Sequence, residues 1–266
     1  MLRNTNDLHD YAIQATDGSI GHVKDFYFDD QAWVIRYLVV DTGTWLASRK
    51  VLVSPMAIGY PDWTGKVFPV SMTKEQVSNS PDIDTDKPVS RQHEMEYLNY
   101  YSYPYYWGGT GLWGGEMGPN MIMPGHEAHS AAPVPLRSES QTAQHETQAL
   151  AREHDDPHLR SCKVVMGYHI HATDGDIGHV QSLLVDGETW AIRYLVVDTS
   201  NWWLGHKVLI APQWVQDISW PSTKVSVNLT RQAVQDAPAY NPSEPFDRKQ
   251  EDSFFKHYKR ANYWDH

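Results

Sequence analysis

The sequence predicts a mainly β fold with short helices, arranged as two repeated small antiparallel β-barrels, each followed by a helical extension rich in aromatic residues. The first observation is an internal repeat: residues 2–107 recur at 159–264 with a constant offset of 157, and 38 of the 106 aligned positions are identical. A repeat of this length indicates one structural unit used twice. The second is that each copy contains several short β-patterned segments without intervening helices, which favours an antiparallel barrel.

Each copy opens with a predicted hairpin. In the first copy, residues 11–16 form a short strand and residues 20–28 form the returning strand. Between them, Asp17-Gly18 supplies the positive backbone angles that a tight hairpin turn requires.

The next strand, residues 33–42, is apolar on both faces. Alternation places two sets of side chains on opposite faces: Trp33, Ile35, Tyr37, Val39 and Asp41 on one, and Val34, Arg36, Leu38 and Val40 on the other. We therefore expect both faces to be covered, one by the barrel interior and the other by a helix, a neighbouring domain or a partner.

Two further strands, residues 50–54 and 66–70, complete the predicted barrel. Thr73 and its equivalent Thr230 are predicted N-caps of a short helix. A second helix is predicted after Ser90, and its equivalent begins at Asp247, with Gln250 in the position of a capping box. Both copies of this helix continue into a run of aromatic residues, which we call the aromatic run and which spans residues 97–107 in the first copy and 254–264 in the second.

The repeat predicts three segments: a barrel-like unit with its extension at 1–107, a linker at 108–158, and a second such unit at 159–266. The linker is rich in Gly and Pro at first and then polar and His-rich. Such a composition buries too little apolar surface to offset the entropy of ordering, so we expect a flexible coil.

The composition of the chain argues against several classes of function. A net charge of -11 argues against nucleic acid and against an anionic membrane surface. The sequence has no apolar stretch long enough for a spanning helix and no signal-peptide pattern at its start, so we expect a cytoplasmic protein without an integral membrane segment. The single cysteine, Cys162, excludes an intramolecular disulfide and fits a reducing compartment.

Three duplicated polar pairs are candidates for chemistry: His22 and His179, Asp41 and Asp198, and Arg36 and Arg193. A histidine beside a carboxylate and an arginine could handle protons near neutral pH. The alternative is structural: Asp at a turn that ends a strand, and Arg in a partly buried ion pair or with its apolar stem buried. We favour the structural interpretation because residues repeated with a fold are first of all residues of that fold.

No cofactor or metal is predicted. The linker histidines, which are His126, His129, His145, His154 and His158, lie in a segment that holds no fixed geometry or supporting hydrogen bonds. The sequence shows no phosphate-binding glycine loop and no convincing nucleophile triad. The aromatic run could stack bases, but a single-strand binder also needs a basic groove.

Three strings carry a resemblance: Asp17-Gly18-Ser19-Ile20-Gly21-His22-Val23, then Trp33 to Thr42, then Lys50 to Pro55. Together they resemble the PRC-barrel family, named for the cytoplasmic domain of the photosynthetic reaction centre H subunit, and the second copy matches equally well. The resemblance implies a small β-barrel that serves as a binding or assembly module. In the H subunit that domain influences proton and electron transfer to a quinone.

We therefore expect a non-enzymatic tandem PRC-barrel protein that acts as a protein-binding or assembly module, with an unidentified protein partner. The alternative, which rests on the resemblance alone, is a regulatory role in photosynthetic-type electron transfer; an enzyme ranks third. The candidate fold or interface residues are Trp33, Arg36, Tyr37, Asp41, Trp190, Arg193, Tyr194 and Asp198. We also expect the two barrels to pair about an approximate two-fold axis, as in a homodimer.

Overall fold

The structure is a computed structural model that describes residues 1–81, 89, 91–107, 109–121, 159–199, 206–244 and 246–264. It divides into two compact units. The N-terminal unit comprises Leu8–Ser161 and Glu188–Trp190, and the C-terminal unit comprises Met1–Asp7, Cys162–Gly187 and Ala191–His266.

The strands, in chain order, are β1 (Leu2–Asn4), β2 (Ala12–Ala15), β3 (Gly18–Asp29), β4 (Val34–Asp41), β5 (Lys50–Val53), β6 (Val67–Pro69), β7 (Leu159–Ser161), β8 (His169–Ala172), β9 (Gly175–Asp186), β10 (Ile192–Asp198), β11 (Lys207–Ile210), β12 (Val215–Ser219) and β13 (Lys224–Val227). The α-helices are α1 (Thr5–Leu8), α2 (Lys74–Ser78), α3 (Arg91–Tyr100), α4 (Cys162–Val165), α5 (Arg231–Gln235) and α6 (Arg248–His257). Short 3₁₀ turns lie at Gly43–Leu46, Pro55–Ala57, Pro119–Met121 and Pro212–Trp214.

Each unit contains one sheet. In the N-terminal unit the strand order is β5-β4-β3-β2-β6, and β7 also pairs with β3. In the C-terminal unit the order is β11-β10-β9-β8-β13-β12, and β1 also pairs with β9. The mainly β prediction with short helices is confirmed, with two corrections. Neither sheet closes among the described residues, and one pair in each unit, β2 with β6 and β8 with β13, is parallel rather than antiparallel.

The local signals in the sequence produce the expected elements. Of the predicted turn residues Asp17 and Gly18, only Gly18 adopts a positive φ, at +143°. Asp17 has no positive φ, and its side chain instead accepts a hydrogen bond from the Lys74 backbone N–H at 2.9 Å. The Thr73 side chain caps α2, and Asp247 with Gln250 forms the predicted capping box of α6. These caps satisfy backbone N–H groups that helices leave free at their first turn.

The second face of the long strand is covered by the helical extension of the same unit. In the N-terminal unit, Tyr37 on β4 meets Tyr97 on α3 edge to face, with ring centroids 4.9 Å apart. In the C-terminal unit, Tyr194 on β10 meets Phe254 on α6 in the same way at 5.4 Å. Of the covers considered from the sequence, a helix is therefore the one present, and this apolar face no longer argues for pairing of the barrels. That pairing stays a prediction.

The predicted linker begins too early. Residues 109–121 belong to the N-terminal unit, and Trp113 is 2% exposed, with its Nε1–H donating to the Thr189 carbonyl at 2.8 Å. The flexible-coil prediction is wrong for this stretch because a large aromatic side chain buries enough surface to hold it. Residues 108 and 122–158, including the five linker histidines, lie outside the described residues.

The boundaries of the two units do not coincide with those of the two repeat copies, because the first strand of each copy lies in the other unit. Residues 1–7 start the first copy but lie in the C-terminal unit, and β7 starts the second copy but pairs with β3 in the N-terminal unit. Among the described residues, no helix combines the length and apolarity needed to cross a membrane.

Candidate functional site

A β-bulge positions the central residues of the candidate site. The β3–β4 register passes from Tyr27 opposite Tyr37 to Phe28 opposite Ile35, which leaves Arg36 as the extra residue. The β9–β10 register shifts at the same place and leaves Arg193 as the extra residue. A bulge breaks the alternation of side chains along a strand. As a result Arg36 and Tyr37 both reach the same helical extension, and the prediction that they project to opposite sides is corrected.

Arg36 is buried, at 3% exposure, and its guanidinium group is engaged by three kinds of partner. Nη1 donates to the Leu112 carbonyl at 2.6 Å, and Nη2 lies 3.5 Å from Asp29 Oδ2. The group also lies over the Tyr106 ring, 3.8 Å from its centroid. Burial lowers the pKa of Arg36, and the neighbouring Tyr106 and Asp29 oppose that effect. The charge is thus held by the protein and is not presented to solvent.

Glu94, on α3, supplies the opposite charge and is fully buried. Its carboxylate accepts a hydrogen bond from the Tyr106 hydroxyl and lies 3.2 Å from Arg91 Nη1, one helical turn before it. Arg91 in turn lies over the Trp107 ring at 4.1 Å. We give the name N-terminal clamp to this group, which consists of Arg36, Tyr37, Arg91, Glu94, Tyr106, Trp107 and Trp113.

The C-terminal unit repeats this arrangement as the C-terminal clamp. Glu251 on α6 accepts hydrogen bonds from Tyr194 and Tyr263, both at 2.9 Å, and lies 2.9 Å from Arg248 Nη1. Arg193 lies over the Tyr263 ring at 4.1 Å, and Arg248 lies over the Trp264 ring at 4.2 Å. Each residue named here stands at the constant repeat offset from its equivalent in the first copy.

Burial makes the clamp tyrosines poor acids. It raises the pKa of Tyr37 and of Tyr106 well above the ordinary value, and the Glu94 charge adds to both shifts. It likewise raises the pKa of Tyr194, with Glu251 adding to the effect. These hydroxyls therefore stay protonated, and those of Tyr106 and Tyr194 donate hydrogen bonds to Glu94 and Glu251. What the clamp can do chemically is fix the extension to the sheet.

The signal that could have identified the glutamates was present in the sequence. Arg91 and Glu94 recur unchanged as Arg248 and Glu251, within helices whose other positions mostly change. An Arg and a Glu three residues apart lie on one helix face, and identical charges repeated among aromatic residues indicate a buried ion pair.

His22 and Asp41 lie elsewhere, opposite each other on β3 and β4. Asp41 Oδ1 accepts a hydrogen bond from the Gly43 N–H at 2.9 Å, which is the geometry of a turn that ends a strand. The strands approach closely here, because a Cβ on Gly21 would lie 1.9 Å from the Asp41 carbonyl oxygen. Asp198 and His179 are opposite each other in β10 and β9, and Gly178 stands in the same relation to Asp198.

An open groove of about 490 Å³ runs past this pair in the N-terminal unit. Its wall includes Trp45, whose indole N–H donates to the Ile20 carbonyl, and Lys74, whose Nζ lies 4.5 Å from the centre of the Trp45 ring. His22 is exposed in it. The residues that would form the matching wall in the second copy, 200–205, lie outside the described residues.

Trp33 and Trp190 occupy a strained backbone position. Both adopt positive φ, +55° and +60°, which bulky residues rarely do. The Trp33 N–H donates to the Asp29 carbonyl at 2.7 Å and its ring stacks on Phe28 at 5.3 Å. Trp190 is buried in the N-terminal unit, where its carbonyl accepts from the Ile35 N–H at 2.9 Å. Both tryptophans thus serve packing and turn geometry.

Among the described residues, no group of three or more His, Cys, Asp or Glu side chains is placed to hold a metal ion. The candidate site residues fall into three places: the clamps, the strand ends at Asp41 and Asp198, and the two tryptophan turns.

Comparison with known proteins supports the fold expected from the resemblance. Residues 4–67 match the family model of the PRC-barrel domain. The chain is also similar to an uncharacterized protein of Deinococcus radiodurans, with 34% identity over 95 residues, which is 34% of this chain and 34% of that protein. The match therefore spans about a third of the relative's length. A second PRC-barrel domain and kinship with the reaction centre H subunit stay predictions.

Proposed function

We propose that this chain is a non-enzymatic protein-binding or assembly module built on two PRC-barrel-like units. The observation that carries the proposal is the pair of clamps. In both units the arginines, glutamates and tyrosines that could do chemistry are engaged with one another and hold an extension against a sheet.

Catalytic groups must come within hydrogen-bond reach of a substrate. Glu94 and Glu251 are 0% and 3% exposed, and Arg36 is 3% exposed, so a substrate does not reach them without displacing the extension. The tyrosine hydroxyls are donors to these carboxylates and keep their protons. The clamp therefore suits a rigid scaffold, whose function lies in the surfaces that it presents.

The groove at His22 and Trp45 supports a binding role. It is open, and its polar groups stand on strand ends fixed by the close approach at Gly21. Ligand pockets for small molecules are concave and mostly apolar, whereas this groove is shallow and mixed in polarity. It is better suited to a contact with another macromolecule.

The proposal is tested by capturing interactors with the full-length tagged chain and rebuilding each complex from purified components. The matched variant carries Trp45→Ala and Lys74→Ala, which alter the groove and leave both clamps intact. A partner that binds the purified chain and binds the variant at least several-fold more weakly supports the proposal. Purification of a turnover activity that disappears with His22→Gln while the melting temperature stays unchanged would overturn it.

Three finer expectations stay predictions within this proposal: a cytoplasmic location, pairing of the two barrels, and the alternative role in photosynthetic-type electron transfer. The last rests on the resemblance to the reaction centre H subunit alone. Transcription together with genes of a photosynthetic apparatus would favour it.

A further inference from the structure

The first strand of each repeat copy completes a sheet made mainly by the other copy. β1 belongs to the first copy and pairs antiparallel with β9 in the C-terminal unit, with Arg3 opposite Val185. β7 belongs to the second copy and pairs antiparallel with β3 in the N-terminal unit, with Arg160 opposite Phe28. The two registers are equivalent under the repeat offset. Each unit thus contains a strand donated from a segment outside its own repeat copy.

The donated strands are held by specific side chains as well as by the backbone. In the C-terminal unit, Asn4 Nδ2 donates to Ser182 Oγ at 3.0 Å, and the buried Thr5 hydroxyl accepts from the Leu183 N–H at 3.2 Å. At the equivalent place in the N-terminal unit, the Ser161 hydroxyl donates to Asp25. There Arg160 Nε also lies 3.0 Å from Asp30 Oδ2.

We propose that these strands are transferable docking segments, and that the partner they fit is a second copy of this chain. The edge of β9 would bind residues 1–7 of that copy, and the edge of β3 would bind its residues 159–161. The proposal rests on the assembly role put forward above and names the partner for it.

Three features support exchange between copies. Each donated strand is three residues long, so few ladder hydrogen bonds must break before a different donor can take its place. An added strand gains most of its affinity from main-chain hydrogen bonds, which a second copy supplies equally well. Exchange of an identical element between chains replaces every contact by its equivalent, which makes it a low-cost route to a dimer.

The experiment uses full-length chains with Cys162→Ala, so that introduced cysteines are the only thiols. One chain carries Asn4→Cys, and a second chain, with a different affinity tag, carries Leu184→Cys, at the residue opposite Asn4. The two are mixed, unfolded and refolded together over a range of concentrations, then oxidised. The expected product is an interchain disulfide whose yield rises with protein concentration.

Two controls fix the interpretation. A single chain carrying both Asn4→Cys and Leu184→Cys should form the bond internally, because these residues lie opposite each other, and this tests the observed strand pairing. A mixture of Asn4→Cys with Tyr27→Cys tests the equivalent position on the other sheet, and its yield should be several-fold lower because β1 pairs with β9 and not with β3.

If the single-chain control does not crosslink, the pairing of β1 with β9 is wrong and the inference is overturned. An internal bond, together with an interchain yield no higher than that of the Tyr27→Cys mixture at every concentration, would show that the strand docks within one chain only. Either result leaves the non-enzymatic binding role to be judged by capture of a different partner.

Discussion

Apart from Trp113, the two clamps consist of equivalent residues of the repeat, but they differ in what covers the bulged arginine. In the N-terminal clamp Arg36 is covered by residues 109–121, contacts Trp113 at 4.8 Å from the ring centroid and is 3% exposed. In the C-terminal clamp Arg193 is only half-buried, against Tyr263. One sequence motif can therefore form an ion cluster that excludes solvent or one that is partly exposed to it, depending on the segment that follows the motif.

The hydrogen bonds of the clamp tyrosines differ as well. Tyr194 donates to Glu251, whereas the hydroxyl of Tyr37 has no hydrogen-bond partner among the described residues. In the N-terminal unit the hydroxyl of Tyr97 accepts instead from the Ser54 backbone N–H at 3.0 Å, a bond that its equivalent Phe254 cannot make. The helix is thus hydrogen-bonded to the sheet through Tyr97 in the N-terminal unit and through Tyr194 in the C-terminal unit.

The largest effect is expected from removing the cover. Trp113→Ala should destabilise the N-terminal unit by about 3–5 kcal/mol, because it deletes a buried aromatic side chain and exposes Arg36 to solvent. Chemical denaturation followed by circular dichroism measures this change. Met117→Ala, at a side chain that is 52% exposed, is the control and should cost less than about 0.5 kcal/mol. Equal effects of the two substitutions would show that residues 109–121 do not cover the clamp.

The next prediction compares the loss of a buried carboxylate in the N-terminal clamp with the same loss in the more exposed C-terminal clamp. Glu94→Gln should destabilise by about 3 kcal/mol or more, because it leaves buried arginine charge uncompensated. Glu251→Gln should cost less, since the Arg248 side chain is 56% exposed and water can solvate its charge. Both variants are compared by the same denaturation measurement. A larger loss for Glu251→Gln would contradict the comparison.

A smaller effect tests the tyrosine difference. Tyr194→Phe should cost about 1–2 kcal/mol, because it removes a buried hydrogen bond to a carboxylate. Tyr37→Phe removes a hydroxyl that has no such bond among the described residues and should be neutral or slightly stabilising. Melting temperatures of the two variants decide the point. Equal destabilisation would mean that Tyr37 is also engaged.

The last effect is absent near neutral pH, appears at alkaline pH and involves both units. Burial raises the pKa of Tyr101, Tyr103 and Tyr263 to about 12, against about 10 in an unfolded chain. Their contribution to stability is complete below about pH 10 and is lost as pH rises through about 12, because the unfolded state releases these protons first. Unfolding free energies measured across this range should fall with pH. A flat profile across this range would contradict the expected burial.

Much of the local structure was predictable. The hairpin at Gly18, the cap at Thr73 and the capping box at Asp247 follow from short-range chemistry that involves only neighbouring residues. The clamp was only half predictable. Arg36 and Tyr37 were identified as candidates, but strand alternation assigned them to opposite faces, and one bulge was enough to bring them together.

The repeat of one β-rich unit, the order of its strands and the aromatic character of its extensions follow from the sequence, because repetition, alternation and capping depend on residues close together in the chain. Other features become visible only in the folded chain: which strand completes which sheet, the open sheets with one parallel pair each among the described residues, and the cover that Trp113 gives to the N-terminal clamp. These outcomes depend on partners far apart in sequence. The same three-residue strand could satisfy its backbone on either sheet edge, so local propensity does not choose between them.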